Sequence, residues 1–458
     1  MPTAQRVIGL LRALSSGDLL SVAGDVVAVT RAWPAARRRR PLGRVLVLLV
    51  LLIMSLLSSG SADSRPPLQR GLDHATTGEQ FSLVGWEAGA LGERALRPVT
   101  LGWTPGRDLA ADRVAVLRHV QITGELGQVA ADRDRVTATS RDAGQLADLD
   151  HQASALTAER ESLRPIVESV VAWQLEQVQS ELGIRRGLVE LRPRVTFPFV
   201  DPRLDPPVAF RLGETPELLV VSPRDRIQLI DSVLLDANLS FRQIDGIEAR
   251  ADGLGVSSLV TGIGGLAAYP SMVPASSSLT WTLQTVAHEW THHYFAFRPL
   301  GLSYFGSYDM RTINETAADM VGEELARRVY SRYYSPPAAP WPEAPLAPAA
   351  TTQPAPPTFA TLMRDIRLQV EGMLAKGDVA GAEAYMAQQK ADLAKKGYYV
   401  RRLNTAYLSF FGAYSGSSNP YEARLRALRK SSGSLAAFLE AVSAISQPSE
   451  FQQAGHGS

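Results

Sequence analysis

The stretch Thr285 to Phe297 reads TVAHEWTHHYFAF, and the spacing of His288, Glu289 and His292 within it constrains the chain more than any other feature. On an α-helix, residues i and i+4 stand one above the other, so both imidazoles reach a single ion if this stretch is helical. Glu289, one position on, points beside that ion and can take a proton from water bound to it. The 458 residues include no cysteine, which excludes disulfides, thiol nucleophiles and thiolate metal sites. Any metal must therefore sit on His, Asp and Glu. Of only seven histidines, three fall within residues 288–293. The plainer alternative is a buried helix whose histidines are simply hydrogen-bonded, and the crowding weighs against it. His293 points about 100° away from His292 and reads as a surface or supporting residue rather than a ligand.

A third ligand would define the kind of site. Phe295 and Arg298 stand where a metzincin would carry its Gly and its third His, which excludes that class. Downstream, a helical stretch carries Asn314-Glu315-Thr316-Ala317-Ala318-Asp319, with Glu315 and Asp319 again at i and i+4. One carboxylate can bind the ion while the other accepts a hydrogen bond from a ligand imidazole. Asp309, Glu323 and Glu324 are further candidates for the third ligand.

With H-E-x-x-H followed by a helix bearing Asn-Glu-x-x-x-Asp, the sequence resembles the gluzincin, or thermolysin-like, zinc metallopeptidases. The resemblance covers roughly Val256 to Tyr334, under a fifth of the chain. It implies one zinc ion held by His288, His292 and Glu315, with Glu289 as general base and Asp319 as the partner of His288. It further implies that Leu266–Tyr269 forms an edge strand along which a peptide substrate lies extended. The oxyanion formed during hydrolysis needs a donor such as Tyr, His or Arg. Tyr304, Tyr308, Tyr399, Arg402 and Tyr407 are candidates. The last three, spaced i, i+3 and i+8, would share one helical face; the alternative is a polar face packed through its rings.

The rest of the chain sets the expected architecture. Val45 to Leu57 is an apolar run preceded by Arg37, Arg38, Arg39, Arg40 and Arg44. From 42 to 60 it approaches the roughly 17–20 residues of a spanning helix. The arginines would keep residues 1–41 cytoplasmic and place the remainder outside, either anchored or released by cleavage. Residues 61–107 read as irregular structure. Residues 108–183 read as a helical hairpin or short coiled coil, with Leu149, Leu156, Leu163 and Val170 at heptad spacing and Pro165 restarting the helix. This arm packs within one chain or serves as a homodimer contact.

Residues 184–335 read as the α+β, zincin-like core. Within it strands are expected at Val189–Val195, Val208–Leu212 and Leu218–Val221, with a helix beginning at Ser222-Pro223-Arg224-Asp225 and running through Leu234. An apolar strand from Val256 to Val273 is interrupted by Gly262, Gly264 and Gly265. No Lys-Ser/Thr follows these glycines, so the Walker phosphate-loop reading fails. Residues 336–357, with nine prolines in 22, form a linker. Residues 358–458 return to helical spacing, with breaks at Gly377-Asp378 and Gly397 and a last amphipathic helix over Tyr421–Val442. Lys and Arg number 47 against 46 Asp and Glu, which leaves no basic field for nucleic acid.

The expected function is zinc-dependent hydrolysis of a peptide or protein substrate outside the cytoplasm, with the membrane engaged through the N-terminal helix. Two competitors stand beside it. One is an envelope scaffold protein with a non-catalytic zinc site and a partner-binding arm. The other is a zinc hydrolase of non-peptide amides.

Overall fold

In the computed structural model, residues 66–83, 85–87, 107–140, 142–184, 206–304, 306–335, 358–414 and 421–453 are described. The expected segments at 1–41 and 42–60, the strand at Val189–Val195 and the proline-rich linker at 336–357 lie outside these residues. Among the described residues no helix is long and apolar enough to cross a membrane. The chain divides into two compact units, residues 1–101 and 102–458. In the first, Pro67–Ala75 forms helix α1, where irregular structure was expected. Pro67 supplies the fixed φ of a first turn, and Leu72 and Ala75 are the buried positions.

The second unit is a mostly helical α+β assembly. Asp108 and Asp142 cap helices α2 (Leu109–Thr139) and α3 (Ala143–Glu181), each carboxylate accepting two backbone N–H groups. The two form the expected hairpin, tied by Arg118 on both oxygens of Glu159 (2.8 and 2.7 Å) and by Arg133 on Asp150 (2.8 Å). Pro165 does not restart the helix: α3 runs unbroken through it for 39 residues. A mid-helix proline costs about 3 kcal/mol. Here half-buried Leu163 before it and buried Val167, Val170 and Val171 after it pack into one core, which holds both sides in line.

Two small sheets follow. Strands β1 (Phe210–Gly213) and β5 (Ser271–Pro274) pair in parallel. The other sheet has the antiparallel order β3 (Asp231–Leu235), β2 (Glu217–Pro223), β4 (Val256–Gly262). The helix expected from Ser222 is instead the end of β2, a bend over 224–230 and β3. Its serine caps nothing; the hydroxyl accepts from Gln228 N–H at 3.3 Å inside the bend leading to β3. Leu229, Ile230, Val233 and Leu234 have helical spacing, yet pairing with the buried Leu219–Val221 run makes Asp231–Leu235 strand. Likewise Val256–Val273 is two strands in different sheets, parted at the glycines, and Leu266–Tyr269 between them is not an edge strand but irregular backbone with a single bridge from Leu266 to Met272.

Helix α4 (Phe241–Asp252), with a Ser240/Gln243 capping box, lies against β4. Helix α5 (Leu279–Phe295), a short turn α6 (Pro299–Leu302) and α7 (Tyr308–Tyr333) form the centre of the unit. Helices α8 (Phe359–Leu374), α9 (Val379–Lys395) and α10 (Thr405–Tyr414) break where the glycines required. Tyr421–Val442 is not one helix but two, α11 (Glu422–Ser431) and α12 (Leu435–Ser443), parted at Ser432-Gly433-Ser434, where Ser434 caps the second. A final α13 spans Pro448–Gln453. The main core joins α3, β1, β5, α5, α7, α11 and α12 around Trp290, Phe295, Ile313 and Phe438.

The most concentrated charge network outside the centre joins α4 to the segment before α10. The Glu248 side chain is 3% exposed. It accepts from Val260 N–H at 2.7 Å, Arg401 Nη1 at 2.8 Å and Arg402 Nη1 at 2.9 Å. Burial opposes its charge, but the arginines, Arg401 foremost, outweigh this and hold its pKa below the ordinary carboxylate value. Glu248→Ala should destabilise the unit by about 3 kcal/mol in denaturant melts at neutral pH, because two guanidinium groups lose their buried partner. As the wild-type pKa is depressed on folding, the stabilisation is full above the unfolded carboxylate pKa and is lost as pH falls through the folded one. The gap between wild type and variant should narrow accordingly in acid.

Candidate metal centre

Ser278 begins α5 by accepting from Trp281 N–H at 3.3 Å, and the helix carries His288, Glu289 and His292 in successive turns. Ser307 does the same for α7, accepting from Met310 N–H at 3.1 Å, and α7 carries Asn314, Glu315 and Asp319. Gly322 lets the two helices meet. A Cβ there would stand 3.0 Å from both Gln284 O and His288 N, closer than real Cβ contacts allow without movement. At Gly301, in the turn between them, a Cβ would fall 2.1 Å from Phe295 O, so only glycine lets the chain fold back this tightly.

Three ligand atoms converge as a result. The Nε2 atoms of His288 and His292 are 3.0 Å apart, and Glu315 Oε2 lies 3.4 Å from the first and 3.3 Å from the second. The outer nitrogens are engaged elsewhere: His288 Nδ1 with Asp319 Oδ1 at 2.9 Å and His292 Nδ1 with Asn314 Oδ1 at 2.9 Å. Asn314 is itself oriented, since its Nδ2 donates to Leu300 O at 3.3 Å and thus turns Oδ1 toward the imidazole. Asp319 and Asn314 accept hydrogen bonds, so each imidazole carries its proton on Nδ1 and turns a lone pair inward from Nε2. Two lone pairs and a carboxylate oxygen then face one point. Such a set needs positive charge at its centre, either a proton or a metal ion.

Charge balance follows the same logic. Burial opposes the charge on His288, but hydrogen bonds to Asp319 and Glu315 outweigh it and lift its pKa well above the ordinary value. Burial likewise works against charge on Glu315, yet His292 and His288 hold its carboxyl well below the usual range. His288, His292 and Glu315 form a buried to half-buried group that could hold a metal ion, with candidate ligand atoms all within 4.8 Å of one another. The chemistry of this donor set, two imidazole nitrogens and one carboxylate oxygen, fits a metal ion that takes nitrogen and oxygen ligands.

Glu289 lies beside the group but outside it. Its carboxyl is buried, which raises its pKa, while the two histidines pull in the opposite direction. Its carboxylate rests on the backbone of Gly265, where a Cβ would sit 2.2 Å from Oε1. Tyr304, one of the oxyanion candidates, donates its hydroxyl to Glu315 Oε1 at 2.5 Å. Burial and the neighbouring carboxylate keep that phenol protonated, with a pKa well above 10. His293 is not among the ligands; its Nε2 donates to Ala268 O at 2.7 Å, and burial lowers its pKa to about 4.

The trio Tyr399, Arg402 and Tyr407 is not assembled at the centre and shares no helical face. Tyr399 and Arg402 precede α10 in irregular backbone, and Tyr399 is 87% exposed. Arg402 is spent on Glu248 and Asp252. Tyr407 packs with Phe410 against Val220 and Leu259 of the sheet. The other possible third ligands are engaged too: Asp309 with Tyr421, Glu323 with Arg327, and Glu324 with Arg429. The sequence reading missed the roles of Asn314, Gly265, Gly301 and Gly322, although Asn314 stood within the motif it quoted. Comparison with protein-family models, with curated proteins and with solved structures returns no match.

Asn314→Ala and Asp319→Ala free an imidazole to rotate and change tautomer. Each should weaken metal affinity by about 10–100-fold in competition titrations against a chelator. The loss should be greater at buried Asn314 than at Asp319, whose side chain is 47% exposed.

Proposed function

We propose that this chain is a zinc-dependent peptidase of the gluzincin type, with His288, His292 and Glu315 as the zinc ligands. The observation that carries the proposal is the buried Glu289 carboxyl set beside three inward-facing acceptor atoms. A zinc ion held there would polarise a water molecule and a substrate carbonyl. Glu289 would take a proton from the attacking water and return it to the departing amine nitrogen. Burial raises the Glu289 pKa, which favours its taking up a proton. Tyr304 would keep Glu315 oriented through Oε1, leaving Oε2 for the ion. The strap after β4, around Leu266–Ala268, is the natural wall for an extended peptide. The arginine-flanked run at 42–60 supports a location for residues 63–458 outside the cytoplasm.

A scaffold protein with a structural zinc site has no use for an acid–base carboxyl next to the ion, and a single variant separates the two. Glu289→Gln should bind zinc as wild type does, while its turnover of a fluorogenic peptide library falls by about 10²–10⁴-fold. Equal turnover by wild type and variant would leave the scaffold. Hydrolysis of small amides but of no peptide would favour the non-peptide hydrolase.

A further inference from the structure

We propose that His293 is a positioning residue: through Ala268 it holds the Gly265–Ala268 backbone against the Glu289 carboxylate, and so sets where an extended peptide lies relative to the base. This rests on the peptidase reading above. His293 follows a metal ligand in sequence, yet its ring serves the strap. Its Nε2 donates to the carbonyl of buried Ala268 at 2.7 Å. The neighbouring Tyr269 ring packs edge-on against the imidazole, with centroids 5.5 Å apart.

The far side of the strap is anchored separately. Leu266 and Met272 exchange two backbone hydrogen bonds of 2.9 Å each, and Ser271 N–H donates to Ala209 O at 2.8 Å beside β1. Between the end of β4 and Leu266 stand Ile263, Gly264 and Gly265; the two glycines offer no side chain, and Ile263 O accepts from the Thr215 hydroxyl at 3.3 Å, just before β2. Glu289 touches the strap at Gly265, where a Cβ would lie 2.2 Å from Oε1 and 2.8 Å from Cδ. The hydrogen bond from His293 therefore registers this wall to α5, the helix that carries the base and both histidine ligands. On the other side the run is held by the sheet, through Leu266, Met272 and Ser271.

The two contacts have separate kinetic consequences. Loss of the wall's register weakens the seat of the substrate, whereas a methyl at Gly265 displaces the base itself. With a fluorogenic peptide that the wild type cleaves, His293→Leu should raise KM about 10-fold with kcat within about threefold. His293→Gln, whose amide can donate to the same carbonyl, should recover most of that loss. Gly265→Ala should lower kcat by about 10-fold or more with KM little changed. All three variants should retain zinc and melt within a few degrees of wild type.

An unchanged KM in His293→Leu, failure of the glutamine variant to recover it, or loss of zinc in His293→Leu would each overturn the positioning role while leaving an active wild-type peptidase in place. A zinc-loaded wild type that cleaves no peptide defeats the underlying peptidase reading instead, and the inference with it.

Discussion

Two imidazole nitrogens with inward lone pairs lie 3.0 Å apart, with a carboxylate oxygen within 3.4 Å of each. Without a cation this arrangement is repulsive, and a protein interior does little to screen it. The surrounding structure works to preserve it. Asp319 and Asn314 fix both tautomers from outside, Leu300 O fixes Asn314, and Tyr304 fixes the remaining oxygen of Glu315. Gly322 brings the two helices close enough for their side chains to meet, and Gly301 permits the tight return between them.

Stability for this arrangement comes from the apolar shell around it. Trp290, one position past Glu289, is fully buried and donates its indole N–H to Pro206 O at 2.8 Å. Ile313, just before Asn314, is fully buried as well. α7 is buried on all faces from Thr312 to Ala318, so its polar ligands and its apolar residues alike sit inside the core shared with α3, α5, α11 and α12. The sheets contribute little bulk. Their part is to end β4 and begin β5 where the glycine strap passes over the base.

The centre was legible in sequence to the degree that its determinants are local. The i, i+4 pairs His288/His292 and Glu315/Asp319 place ligands and support by helix geometry alone, and the structure brings those four residues together. The C-terminal helix breaks at Gly377 and Gly397 were visible for the same reason, each glycine having a positive φ that ends a helix. What stayed hidden depends on partners far away in the chain. Arg402 seemed free for catalysis because Glu248 and Asp252, its partners, lie about 150 residues earlier. Leu229–Leu234 has helical spacing, which the ladder with β2 overrides. Tyr304 was one of five plausible donors, and only the fold places its hydroxyl on Glu315. Gly265 was noticed as a glycine, but its closeness to Glu289 arises from the meeting of a strap and a helix.

Three acceptors converging in this way could hold a metal ion between them. Metal analysis by elemental mass spectrometry, on protein purified without chelator, tests it most directly. About one zinc per wild-type chain is expected, with a large loss in both His288→Ala and Glu315→Ala and the secondary structure kept by circular dichroism. A wild-type chain that stays folded, carries no metal and takes up none from added zinc would contradict it.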